Sequence, residues 1–138
     1  MSQEGRTDCP AESKKEVRIL VILFGTLEYD GRVQRMISVL EDVGKVTLVD
    51  VAAGNPADEL VLDGLERFRV GIASESRRFF KHMKFGCAAL QVARRLRPDL
   101  IVAEDYFTTW SGWLITKLVR GTLIYDAHEL IIPGPMKR

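Results

Sequence analysis

Two cysteines, two histidines and a formal net charge of +1 in 138 residues leave this sequence short of the groups that most often announce a function. Cys9 stands in a polar stretch and Cys87 inside an apolar pattern, so there is no disulfide framework and a reducing compartment is expected. A charge so near neutrality supplies no global field toward polyanions, and no nucleic-acid partner is expected. The longest apolar run, Ile19 to Phe24, is far too short to span a bilayer, and the opening Met-Ser-Gln-Glu-Gly-Arg-Thr-Asp has no secretory apolar region. A cytoplasmic location is the expectation.

What is present is a chain that is 46% hydrophobic and long enough to bury one core, hence one domain. Residues 1–16 are polar, with Gly5, Pro10 and mixed charges, and read as a disordered leader. Residues 17–24 are almost continuously apolar, which suits a central parallel strand covered on both faces. Val33, Met36, Ile37, Leu40 and Val43 then recur at helical spacing, with Asp30 as N-cap and Gly44 as the C-terminal stop. A second strand follows at 46–51, at most a short helix at 57–65, and a third strand at 68–72. In 75–96, Phe79, Met83, Gly86, Leu90 and Ala93 fall on one stripe, with Phe80 and Cys87 beside it, predicting a long helix stopped by Pro98. A fourth strand at 100–103, a helix at 108–120 ended by Gly121, and a buried closing strand at 123–125 complete the pattern.

Strands alternating with helices, joined by right-handed crossovers, predict a doubly wound parallel α/β sheet of about five strands in the order 3-2-1-4-5, with helices on both faces. Its switch point lies between the first and fourth strands. The ligand crevice of such a sheet opens there, lined by residues 25–30, 104–110 and 126–130.

Each crevice segment offers candidates. The first loop, Phe24-Gly-Thr-Leu-Glu-Tyr-Asp-Gly-Arg, lacks a dinucleotide fingerprint, because Gly25 and Gly31 are too far apart and Leu27, Glu28 and Tyr29 block a pyrophosphate. NAD is thereby disfavoured and no cofactor is expected. Gly25 allows close approach of a ligand, Arg32 near a helix N-terminus is suited to an anion, and Asp30 beside it is a further substrate-binding candidate; otherwise Asp30 simply caps the helix and Arg32 is solvated. Glu104, Asp105 and Tyr106, near Phe107 and Trp110, suit a polyhydroxylated ligand, acids accepting from hydroxyls and rings covering a sugar's apolar face. The alternative is that the rings belong to the core and Asp105 caps a helix. His128 lacks the second histidine four residues on that a zinc helix needs, so no metal is expected. After the last strand it is placed to donate to a sugar hydroxyl or to stabilise developing charge. Asp126 and Glu129 either orient it or cap the next segment.

The charge is unevenly spread. Seven Lys or Arg and one acid between 74 and 97 give that segment +6, and Arg77, Lys81, Lys84 and Arg95 share one side of the helix. Such a face is either simply solvated or a peripheral contact with anionic membrane, the latter strengthened if Phe79, Phe80 or Phe85 is exposed.

Residues 125–130, Tyr-Asp-Ala-His-Glu-Leu, resemble the segment that closes the N-terminal domain of the glycosyltransferase group 1 class, family four, of GT-B fold. Asp30-Gly-Arg-Val-Gln-Arg with residues 40–46, and Arg97-Pro-Asp-Leu-Ile-Val-Ala-Glu-Asp, agree with it, so that the resemblance covers about 17–132. It implies a Rossmann-like N-terminal, acceptor-side domain of a retaining, hexosyl-transferring enzyme that moves a sugar from a nucleotide-sugar donor to a sugar or lipid-linked acceptor, usually without a metal. It further implies that His128 approaches the donor sugar and that the loop from Gly25 to Arg32 lines the cleft. The C-terminal domain that supplies most donor contacts in this class has no counterpart here, and 133–138 read as the start of a linker or tail. The chain is therefore expected to be inactive alone, either as a fragment or as half of a split enzyme; the alternative is a non-catalytic binding or regulatory subunit.

Overall fold

The computed structural model describes residues 16–52, 64–73 and 77–127. Its elements are β1 (Val17–Leu23), a 3-10 turn (Leu27–Tyr29), α1 (Gly31–Glu41), β2 (Gly44–Val51), β3 (Glu66–Val70), α2 (Arg78–Leu96), β4 (Leu100–Glu104), α3 (Asp105–Val119) and β5 (Thr122–Asp126). The five strands form one parallel sheet in the order β3-β2-β1-β4-β5, the expected doubly wound topology. Nearly all of the leader at 1–16, most of the short segment at 57–65, and the tail at 133–138 lie outside the described residues.

Alternation along β1 divides the core. Leu20 and Ile22 point to the face covered by α2 and α3, whereas Ile19, Val21 and Leu23 point to the face covered by α1 through Val33 and Ile37. All five of these strand residues are buried, because β1 lies at the centre of a sheet covered on both sides. α3 lies close against the sheet at Gly112, where a Cβ would come within 3.1 Å of the Ala103 Cβ and 2.9 Å of Leu123 Cδ1.

Four expectations are corrected. Gly44 does not stop α1, which ends at Glu41; Gly44 opens β2, and a Cβ there would stand 2.2 Å from the Val17 carbonyl oxygen, so backbone packing between β1 and β2 demands the glycine. Val43, past the helix end, is accordingly exposed. The inward stripe of α2 is Phe85, Ala89 and Ala93, while Phe79 and Met83 are exposed. Small alanines let the helix settle close to the sheet, which turns the bulkier apolar stripe sideways. α3 begins at Asp105, three residues before the expected start, with no loop after β4. Finally, β5 is an edge strand with Ile124 and Tyr125 nearly half exposed rather than a buried one.

Candidate functional site

At the carboxyl edge of the sheet, β1 hands over to the first loop. The Gly25 carbonyl accepts from the Val51 amide at 2.9 Å, tying this loop to the end of β2. A Cβ on Gly25 would meet only Leu23 side-chain carbons at 3.6 Å, so packing leaves room in front of it. The following 3-10 turn is held from beneath by ion pairs that sequence reasoning did not anticipate. Asp50, fully buried at the end of β2, accepts the Leu27 amide at 3.3 Å and the Arg67 Nε at 3.1 Å. Arg67 also forks onto both carboxylate oxygens of Glu28, at 2.8 and 2.9 Å, and Arg69 pairs with Glu28 as well. Burial opposes the charged form of Arg67, but hydrogen bonds and charge from Glu28 and Asp50 outweigh it and hold the guanidinium above its ordinary range. The available signal is Arg67 and Arg69 alternating in β3, two like charges on one face that need acids opposite.

Asp30 has the role of a cap. Its Oδ1 accepts the amides of Arg32 and Val33 at 3.1 and 3.2 Å, opening α1. Arg32 leans back toward it at 3.7 Å with its guanidinium largely solvated.

The other wall is built at β4. Glu104 is fully buried and in register with Leu23 on one side and Asp126 on the other, which aligns the carboxyl ends of β1, β4 and β5 at a spacing of roughly 5 Å. The chain then turns straight into α3 through Asp105, held at φ 65°, a left-handed conformation that disfavours side chains. Thr108 Oγ1 donates to the Glu104 carbonyl and, at 3.0 Å, to that of Asp105, bracing the elbow. Asp105 and Tyr106 emerge at the surface beyond it, whereas Glu104 does not.

An aromatic cluster closes the mouth. Phe107 of α3 stacks on His82 of α2 with centroids 5.0 Å apart, Phe24 approaches His82 at 4.1 Å, and Tyr106 packs on Phe107 at 4.1 Å. Burial, and secondarily the charge of Arg78, push the His82 imidazole below its ordinary value. His82 is the histidine that reading the sequence passed over; its signal was its place on a helix that begins at the crevice.

The structure thus brings the Gly25 loop, Glu104, Asp105, Tyr106 and Asp126 to one edge. His128 and Glu129 lie outside the described residues, two and three positions beyond the end of β5. Arg77 precedes α2 and is exposed, as are Lys84 and Arg95, while Lys81 is half-buried; the Lys84 ammonium donates to the Gly71 carbonyl at 2.6 Å. Among the described residues no three His, Cys, Asp or Glu are grouped to hold a metal ion, and no helix is long and apolar enough to cross a membrane.

No protein-family model and no curated protein matches the chain. Among solved structures, the crystal structure of SsfS6, a glycosyltransferase of Streptomyces sp. SF2575, is similar over 81% of this chain, with a TM-score of 0.52 and 17% sequence identity. The match covers 39% of that structure's chain, so this sequence spans well under half its length. At this identity the likeness establishes the fold, an α/β Rossmann-like sheet shared with part of a glycosyltransferase.

Proposed function

We propose that this chain is the acceptor-side domain of a glycosyltransferase, of the retaining family-four type, that moves a hexosyl unit from a nucleotide-sugar donor to an acceptor hydroxyl. The observation that carries the reading is the strained elbow at Asp105, set at the switch point of a sheet whose fold is shared with a glycosyltransferase. In the reaction the acceptor oxygen bonds to the anomeric carbon, the bond from that carbon to the diphosphate breaks, and the acceptor's proton leaves with the diphosphate. The transition state is oxocarbenium-like. Asp105 and Tyr106 hold acceptor hydroxyls, Glu104 and the Thr108 brace hold the elbow, and the Gly25 loop with Arg32 borders the donor diphosphate. His128, with Asp126 and Glu129 near it in sequence, is assigned to the donor sugar.

Most donor contacts belong to a second domain, so the chain by itself is expected to be inactive. Cysteine usage supports a cytoplasmic assignment. The test is to replace His128 by Ala in the protein joined to its donor-binding domain. Turnover should fall about a hundredfold or more, and an unchanged rate would remove His128 from the mechanism and this reading with it.

A further inference from the structure

We propose that the face formed by α2 and α3 docks on an anionic lipid bilayer. This inference is independent of the transferase reading. Phe79 and Phe80 on α2 are 67% and 59% exposed, and Trp110 on α3 is 77% exposed. Between the helices runs an apolar groove of about 510 Å³, with Met83, Trp113 and Leu114 along its walls. So much aromatic surface is far more than scattered apolar residues put on a water-facing helix pair.

The charge around the face identifies its occupant. Residues 77–97 contain seven Lys or Arg and no acid. At about 100° per residue, Lys84 lies roughly 40° past Phe80, at the border of the α2 apolar stripe away from α3, and Arg77, exposed, stands just ahead of the helix. Lys117 holds the α3 side, its ammonium 5.9 Å from the centre of the Trp113 ring. A protein partner would bury a face depleted in lysine. Tryptophans and phenylalanines at the middle with Lys and Arg at the border are instead what the headgroup layer of an anionic leaflet accommodates, rings at the glycerol level and ammonium groups among the phosphates. Phe85, the third aromatic of this segment, is buried in the core and takes no part. The groove ends at His82, Tyr106 and Phe107, beside the crevice, so docking would bring the crevice next to the bilayer surface; if the transferase reading holds, this suits a lipid-linked acceptor.

Both tryptophans of the chain, Trp110 and Trp113, sit on this face, so intrinsic emission reports on it alone. The experiment mixes the 138-residue chain with vesicles of phosphatidylglycerol and phosphatidylcholine, or of phosphatidylcholine only, and follows co-sedimentation and tryptophan emission. Expected are binding at least tenfold stronger to the anionic vesicles, a blue shift on binding, and weakening by rising salt. Each cation contributes about fivefold near such a surface, so Arg77→Gln, Lys84→Gln and Lys117→Gln together should weaken binding at least tenfold. Phe79→Ser with Phe80→Ser should weaken it while leaving both tryptophans as reporters, with circular dichroism verifying that each variant is folded. The proposal is overturned by absence of binding, by equal binding to neutral vesicles, or by binding with unshifted emission. It is overturned equally if sedimentation velocity shows a dimer that shifts the emission without vesicles, which would assign the face to a second copy.

Discussion

The imidazole of His82 lies flat on the ring of Phe107, 9° from parallel, and thereby joins α2 to the first turn of α3 at the mouth of the crevice. Burial and the nearby charge of Arg78 both disfavour the imidazolium, so His82 titrates below 6.5 in the folded protein. As pH falls past that value the unfolded chain takes up its proton first. The stability from the neutral ring is therefore complete above about 6.5 and is lost as pH falls toward the folded pKa. Histidine titration by NMR should show one of the two imidazoles shifted downward, and His82→Gln should flatten the acid side of the stability profile. A His82 resonance titrating at or above 6.5 would refute this.

Arg67 is the only residue seen to pair with both Glu28 and Asp50 among the described ion pairs, and through them it fixes the loop between β1 and α1. Arg67→Met leaves the fully buried Asp50 carboxylate without its ion partner, while Glu28 keeps Arg69, and this costs about 3–5 kcal/mol. Urea denaturation at neutral pH should reveal this as a lowered midpoint. Arg67→Lys should recover only part, since a single ammonium cannot fork onto two acids. A loss under about 1 kcal/mol for the methionine variant would show that the network is not needed to hold the loop.

The strand order was readable because β1, β2 and β4 are short apolar runs separated by crossover-length segments, and such runs have few ways to pair. The inward side of α2 was not. Apolar residues occupy more than half of that helix's circumference, so periodicity allows several stripes, and only the close fit of Ala89 and Ala93 to the sheet selects one. The network beneath the first loop escaped notice for a different reason: Arg67 meets Asp50 and Glu28 across 17 and 39 residues, and local patterns carry no information about such pairs. Of the site, the crevice position and the Asp30 cap were legible from loop chemistry. The elbow at Asp105 was not, since nothing in Ala-Glu-Asp-Tyr marks a left-handed residue.

That elbow separates two roles for one side chain. A residue with a Cβ at φ 65° costs roughly 1–2 kcal/mol relative to a right-handed one, less for aspartate than for most, and glycine avoids the cost. Asp105→Gly should therefore leave stability unchanged or raise it by up to about 1 kcal/mol, the loss of a favourable charge at the α3 N-terminus offsetting part of the gain. Asp105→Ala keeps the strain and loses the carboxylate, and should be less stable than the glycine variant by about 1 kcal/mol. Thermal denaturation of the three proteins checks this order. If the carboxylate holds acceptor hydroxyls, both variants joined to a donor-binding domain should show a KM for acceptor raised about tenfold, although one of them is as stable as the parent. A glycine variant that loses stability would show the elbow to be unstrained. One that keeps its KM would show that the strain serves only the turn from β4 into α3.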